Sequence, residues 1–322
     1  MYIEQAFKIL HDWWRYLLGV LIAIVGIGIL SMPHALAIGV KQVQGEVDLE
    51  KLNDVNYIMT LFEPNVNLLF LLLPFAGGFF ALLLAVKLLH KQSFTQLTTA
   101  RKKIDWSRFW FAFGLWGFVS VAMIVLDYYM SPDDYLLNFN LVPFLLLCLI
   151  AILLVPLQTS FEEYLFRGYL MRGLGVLVKN KWLPLLVTSA VFGLLHYSNP
   201  EMEVMGNKLM IYYIGTGLFL GILTLMDDGM ELALGFHLAN NLFTALLVTA
   251  DWTAFQTHSV LKDLSDPTEA GLAEIFVPIF VVFPIMLFIF ARKYKWNNWT
   301  ERLFGKVEAP VDSEIDEIGN PF

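Results

Sequence analysis

Eight long apolar runs dominate this sequence and limit what it can fold into. They cover residues 16–38, 67–90, 109–129, 141–160, 183–198, 209–226, 231–249 and 273–292. A helix needs about 20 consecutive apolar residues to cross the hydrocarbon core of a bilayer. The sequence therefore predicts an all-α fold, a polytopic membrane bundle of about eight transmembrane helices. The shortest run, 183–198, spans only part of the bilayer or extends into Asn199.

The composition agrees with a lipid environment. Of the 322 residues, 57% are hydrophobic and 16% are charged, and the mean hydropathy is +0.63. Soluble domains have about a quarter of their residues charged. The single cysteine, Cys148, excludes an internal disulfide and a cysteine-based zinc site, and its apolar surroundings predict a buried hydrophobe.

The charges alternate in sign between successive loops, which predicts the topology. Basic residues occupy 91–108, 178–182 and the end of the last run, whereas the loops between them are acidic. The positive-inside rule places the basic loops in the cytoplasm. With eight spans both termini are then cytoplasmic. The basic patches reflect topology, and no nucleic-acid partner is predicted.

Three parts of the chain differ in character. Residues 1–15 are amphipathic and predict an interfacial segment, and 16–302 form the transmembrane helical domain. Residues 303–322 are acidic, contain two prolines and lack apolar periodicity, which predicts a disordered tail or a docking peptide for a partner. Four histidines near the span ends or in loops are expected at the surface: His11, His34, His90 and His258.

Charged residues inside one apolar helix are the clearest functional signal. Glu162, Glu163 and Arg167 lie in the segment PLQTSFEEYLFRGYL. Each ionised side chain near the bilayer centre costs about 2.5–3.5 kcal/mol, so such residues mark functional sites by default. The spacing of Glu163 and Arg167 also fits a structural ion pair along one helix face.

Two further helices contain polar groups that a lipid-facing helix lacks. One carries Phe192 and His196, and the other carries His237 and Asn241 four residues apart on one face. Counted from the turn near residue 180, Glu162 and His196 reach nearly the same depth. His237 follows the turn at 227–230 too closely to match, so this turn must sit inward or the helices must tilt. Alternatively, His237 and Asn241 only form hydrogen bonds between helices, and His196 is a polar residue near the membrane edge.

Together these side chains suit the hydrolysis of an amide by water. A carboxylate in a low-dielectric pocket can take a proton from water, and a neighbouring histidine can hold that water. A second histidine and an amide can donate hydrogen bonds to an oxyanion.

In order and spacing, the three motifs resemble the CPBP intramembrane proteases, which include type II CAAX prenyl proteases and bacteriocin-processing or self-immunity proteins, formerly the Abi family. The matching residues are Glu162, Glu163 and Arg167, then Phe192 and His196, then His237 and Asn241. The resemblance covers about 142–250 as a catalytic core. It implies Glu162 as the general base assisted by His196, and an oxyanion site at His237 and Asn241. Glu163 and Arg167 would orient Glu162 or bind substrate.

The resemblance leaves the cofactor open. Glu162, His196 and His237 could ligate zinc with an open position. The same residues could also catalyse hydrolysis by a glutamate–histidine mechanism that requires no metal. The oxyanion role of His237 and Asn241 favours this metal-free mechanism.

The resulting prediction is an intramembrane endopeptidase that acts on a membrane-embedded or lipidated peptide. Its expected location is the prokaryotic cytoplasmic (inner) membrane. The alternatives are a non-catalytic immunity or scaffold relative, which predicts that Glu162→Gln preserves the phenotype, and an ion-coupled transporter that uses the buried carboxylates. A scarcity of helices broken by glycine or proline in matching halves argues against the transporter.

Overall fold

The computed structural model describes residues 1–52, 54–268 and 271–309. Eight helical segments coincide with the apolar runs, and we number them in chain order. They are α1 (Trp13–Val43), α2 (Pro64–Leu89), α3 (Trp106–Met130), α4 (Leu141–Glu163), α5 (Trp182–Leu194), α6 (Met210–Asp227), α7 (Glu231–Leu247) and α8 (Phe283–Tyr294). The predicted helical membrane bundle is therefore confirmed.

Three of these segments continue into other helical turns. A π-helical stretch, Tyr164–Leu170, and the helix Met171–Val178 extend α4, and Pro200–Met205 with Gly206–Leu209 precede α6. Before α8 lie the helix Leu272–Val277 and the π-helical stretch Pro278–Val282. The remaining helices are short: Ile3–Lys8, Leu49–Lys51, Val55–Thr60, Phe94–Thr98, Pro132–Asp134 and Trp299–Phe304.

The count of eight spans is not confirmed. Within the described ranges, six helices are long and apolar enough to cross a membrane: Trp13–Val43, Pro64–Leu89, Trp106–Met130, Leu141–Val178, Pro200–Asp227 and Ile275–Tyr294. The other two candidates are shorter, because α5 has 13 residues and α7 has 17. The protein is a multi-pass integral membrane protein, and the two shorter helices α5 and α7 pack within the same bundle.

A small sheet, which the sequence did not predict, lies outside the helices. Strand β1 (Tyr135–Leu137) pairs antiparallel with β3 (Leu261–Asp263), and β2 (Val248–Thr249) pairs parallel with β3. It joins the two acidic loops that follow α3 and α7, and thereby ties the ends of these two helices together.

Close helix contacts place α7 at the centre of the fold. Helix α1 packs on α2, α2 packs on α4, and α7 packs on α3, α4 and α6. A Cβ atom on Gly26 would overlap the carbonyl oxygen of Gly77, and one on Gly235 would overlap that of Phe109. Small residues permit such backbone contact between membrane helices. The contact at Gly235 fixes α7 against α3 two residues before His237.

The N-terminal segment and one histidine that were expected at the surface are partly or fully buried. Tyr2 and Ile3 of the predicted interfacial segment are buried against Met171–Val178. His90 was expected at the surface, but it is fully buried and its Nε2 lies 2.8 Å from the Tyr169 hydroxyl. That expectation was wrong, because the N-terminal segment covers the end of α2. The predicted tail 303–322 falls outside the described residues from 310 onward.

Candidate active site

The two glutamates lie at the junction between α4 and its π-helical continuation. Glu162 and Glu163 are the last residues of α4, and Tyr164 begins the π-helical stretch. Such stretches in membrane and soluble helices often mark functional sites. Glu163 is completely buried, whereas the Glu162 side chain remains 12% exposed. The Glu163 carboxylate is thus inaccessible to solvent, whereas solvent can reach the Glu162 side chain.

Glu163 forms a buried ion pair with Arg167. Arg167 Nη1 lies 2.8 Å from Glu163 Oε1, and Nη2 donates to the Gly217 carbonyl oxygen at 2.8 Å. The guanidinium carbon also lies 4.6 Å from the centre of the Phe192 ring. Arg167 therefore links the helix of the glutamates to α6 and α5.

His237 bridges the two glutamates. Its Nδ1 donates to Glu163 Oε1 at 2.8 Å, and its Nε2 lies 3.4 Å from Glu162 Oε2. Glu163 Oε1 thus accepts from both Arg167 and His237, which orients the imidazole ring. From the sequence, Glu163 and Arg167 were expected to orient Glu162 or to bind substrate. That the group they hold is His237 was not predicted.

The turn before α7 is buried by polar contacts, whereas its depth in the membrane stays a prediction. Asp227 is 5% exposed and Glu231 is fully buried. Arg101 Nη2 lies 3.1 Å from Asp227 Oδ2 and 2.8 Å from Glu231 Oε2, and Trp296 Nε1 donates to Asp227 at 3.0 Å. Arg101 precedes α3 and Trp296 follows α8, so contacts from both of these segments cover the turn from which α7 begins.

His196 lies next to this cluster through an aromatic contact. The Phe192 ring centre is 4.9 Å from that of His196 and 6.0 Å from that of His237. His196 Nδ1 donates to the Phe192 carbonyl oxygen at 2.8 Å, and its ring stacks on Tyr213 at 4.3 Å. Across the described ranges, none of its hydrogen bonds, ion pairs or ring contacts reaches Glu162.

Asn241 lies one helical turn beyond His237 and contacts the helix of the glutamates. Its Nδ2 donates to Gln158 Oε1 at 2.9 Å, and its Oδ1 accepts from Asn240 at 3.0 Å. Gln158 is four residues before Glu162, so the pairs Gln158–Asn241 and Glu162–His237 follow one another along two antiparallel helices.

The arrangement was also compared with the zinc alternative. In the parts of the chain that the structure describes, no three His, Cys, Asp or Glu side chains are grouped so that they could hold a metal ion. Glu162 and His237 face each other, but His196 is turned toward Phe192 and Tyr213. These three residues do not fit a shared metal site in this arrangement.

Two residues around the site were missed from the sequence. Gln158 was detectable, because a polar residue one turn before Glu162 shares its helix face. Tyr213 gave no such signal, since its stacking on His196 depends on how α5 and α6 pack.

The fold and this cluster define a multi-pass membrane protein with a buried glutamate–histidine site. Residues 140–243 match the model of the family described as type II CAAX prenyl endopeptidase Rce1-like, so this part of the chain is similar to that family. The resemblance stated from the three motifs is thereby confirmed.

A curated relative supports the same assignment. The chain is 35% identical over 167 residues to the uncharacterized protein YyaK of Bacillus subtilis (strain 168). The match covers 52% of this chain and 56% of YyaK, so the chain spans about half the length of the curated relative it matches. No solved structure matches the chain significantly.

Proposed function

We propose that the protein is an intramembrane endopeptidase that hydrolyses a peptide bond of a membrane-associated or lipid-anchored peptide. The match of residues 140–243 to an endopeptidase family supports a protease activity. The observation that carries the proposal is the position of His237, which lies 2.8 Å from Glu163 and 3.4 Å from Glu162. One carboxylate orients the imidazole, and the other remains available for chemistry.

Glu162 is the proposed general base. Its Oε2 is buried and has no hydrogen-bond partner among the described residues, and it faces His237 Nε2. A water molecule that reaches this carboxylate can transfer a proton to it while the water oxygen bonds to the substrate carbonyl carbon. The C–N bond then breaks, and the proton passes to the leaving amine.

The oxyanion site is assigned to His237 and Asn241. Asn241 donates one amide hydrogen to Gln158 and keeps a second for the substrate oxygen. His237 Nδ1 already donates to Glu163, so Nε2 can donate to an oxyanion only when the ring is doubly protonated. His196 donates through Nδ1 to Phe192, which leaves Nε2 of the neutral ring as an acceptor that can hold the attacking water.

The proposed substrate follows from the location of the site. The glutamates lie within the long apolar helix Leu141–Val178, so the scissile bond must reach a depth inside the bilayer. A lipid anchor or an apolar segment would bring a peptide to this depth. We place the protein in the cytoplasmic membrane of a prokaryote with both termini inside, because the basic loops then face the cytoplasm.

The proposal is tested with the full chain in proteoliposomes and an internally quenched peptide that carries a prenylated cysteine followed by three residues. Glu162→Gln keeps the size of the side chain and is expected to reduce cleavage by about 100-fold or more. Asp133→Asn removes an exposed carboxylate and serves as the matched control. Cleavage is also measured with a chelator, and we expect it to persist because Glu162 activates the water.

The outcomes separate the alternatives. Undiminished cleavage by a folded Glu162→Gln variant would rule out the general-base role. Binding of the peptide without cleavage by the unmodified protein would favour the scaffold alternative. Loss of cleavage with the chelator and its return with zinc would assign the water to a metal.

A further inference from the structure

A second polar site lies at the basic end of the bundle, away from the glutamates. A cavity of about 300 Å³ opens between the start of α3 and the end of α8. This is the volume at which small-ligand pockets begin. Its charged lining consists of Arg101, Arg108, Lys295, Arg302, Asp227 and Asp228. Asp227 supports the turn before α7, but the cavity itself has no part in the proposed hydrolysis.

The acids at this cavity are already paired with arginines. Asp227 accepts from Arg101 at 3.1 Å and also from Arg108, and Asp228 accepts from Arg302 at 2.7 Å. The backbone N–H of Lys295 donates to the Ala291 carbonyl oxygen, but its side chain has no hydrogen bond or ion pair with any described residue. The lining therefore contains four cationic and two acidic side chains, and the ammonium of Lys295 is not neutralised by a contact.

Two more acids contribute behind the lining. Glu231 lies 2.8 Å from Arg101, and Asp105 lies 3.0 Å from Arg108. These contacts balance Arg101 and Arg108 but do not approach Lys295 or Arg302. With these two acids, four cationic side chains meet four carboxylates, and Lys295 is the one cation of the lining that no described carboxylate contacts.

Several guanidinium donors in the lining remain unused. Arg101 Nε is buried and has no hydrogen-bond partner, and within the described ranges the side-chain hydrogen bonds of Arg302 all use Nη1. A guanidinium offers five N–H donors in a planar fork whose geometry matches phosphate oxygens. The cavity therefore combines a free ammonium with donors that suit a tetrahedral oxyanion.

The cavity lies where two apolar helices end, which is where a membrane would have its lipid headgroups. Helix α3 begins at Trp106 and α8 ends at Tyr294, so both apolar spans stop beside it. Trp106 and Trp110 are 57% and 59% exposed, as expected for aromatic residues at a membrane interface. Basic pockets between transmembrane helices on the cytoplasmic side can receive anionic headgroups.

We propose that this cavity binds a phosphate-bearing anion at the membrane surface, held by Lys295 and the free N–H groups of Arg302. Both an anionic phospholipid headgroup and free phosphate carry this chemistry. The depth of the cavity at the ends of two spans favours the headgroup, because its acyl chains would continue along the exposed faces of α3 and α8.

The test is a binding titration of the full chain by native mass spectrometry. One arm uses phosphatidylglycerol, a second uses phosphatidylcholine, and a third adds inorganic phosphate to the phosphatidylglycerol titration. The variant is Lys295→Asn, because Lys295 has φ +53° and asparagine tolerates this left-handed conformation. Lys91→Asn is the matched control, since Lys91 also has a positive φ of 55° but does not line the cavity.

We expect tighter binding of phosphatidylglycerol than of phosphatidylcholine, and an affinity about fivefold lower for Lys295→Asn but not for Lys91→Asn. Phosphate alone should fail to compete if the headgroup is the ligand. Competition by phosphate with the same dependence on Lys295 would assign the cavity to the free anion. Equal effects of the two variants, or no preference for either anion, would overturn the proposal.

Discussion

Asn241 donates a hydrogen bond to Gln158 at 2.9 Å, one helical turn from the point where His237 faces Glu162. This contact fixes the register between α4 and α7. It also separates two possible contributions of Asn241, because one amide hydrogen holds the helix and the other remains for substrate.

Substitution of these two amides should therefore have unequal effects. Gln158→Ala removes only the helix contact, whereas Asn241→Ala also removes an oxyanion donor, which costs about 100- to 1,000-fold in kcat. We expect Asn241→Ala to lower kcat much more than Gln158→Ala while both lower thermal stability to a similar extent. Equal losses of kcat in the two variants would mean that Asn241 only positions α7.

The buried pair of Glu163 and Arg167 should respond differently to single and double substitution. Arg167→Met leaves Glu163 buried without its guanidinium, and breaking such a pair costs about 3–5 kcal/mol. The double variant Glu163→Gln with Arg167→Met removes both charges and should regain much of the stability in thermal unfolding. It should not regain peptide cleavage, because glutamine no longer orients His237 as a carboxylate does. Recovery of cleavage together with stability would contradict this positioning role.

Gly235 provides a test of the backbone contact that places α7. In Gly235→Ala the new methyl group would overlap the Phe109 carbonyl oxygen. We expect a loss of about 1–3 kcal/mol in stability and a displaced His237, measured by thermal unfolding and by cleavage. Gly114→Ala on α3 is the control, since a Cβ there meets nothing within 4 Å. An active, stable Gly235→Ala variant would show that α7 can shift without harm.

The burial of His90 should make the stability of the protein depend on pH. Burial lowers the pKa of His90 below its usual 6.5, although its hydrogen bond to the Leu10 carbonyl acts in the opposite direction. The folded state thus disfavours the charged ring, so stability should fall as the pH drops through about 6.5 and be constant above it. Thermal unfolding at pH 8 and pH 5.5 measures this difference. His90→Gln should reduce it, and a difference of the same size in His90→Gln would exclude His90 as the source.

Much of the fold could be predicted from the sequence because a bilayer leaves a strong pattern. The apolar runs located all eight helical segments, whereas the orientation that the alternating charges indicate stays a prediction. The number of full spans could not be obtained in this way, since α5 and α7 are apolar but only 13 and 17 residues long. The small strand β3 was missed because its pairing partners lie in distant loops.

The sequence indicated which residues form the candidate site, but it indicated few of the contacts between them. Spacing identified Glu163 with Arg167 as one face of a helix, and the structure places them 2.8 Å apart. His237 follows the buried turn at Asp227, and this turn is held by Arg101 and Trp296 from remote parts of the chain. No local pattern in the sequence indicates such an arrangement.

The covered turn has a consequence for any attempt to isolate the domain. The segment that matches the family ends at residue 243 and starts at 140, yet the residues that clamp the base of α7 come from positions 101, 108, 296 and 302. A fragment cut at the family boundaries would expose Asp227 and Glu231 without their cations. We expect such an excised piece to lose the depth of α7, so the minimal autonomous unit must include both flanking regions.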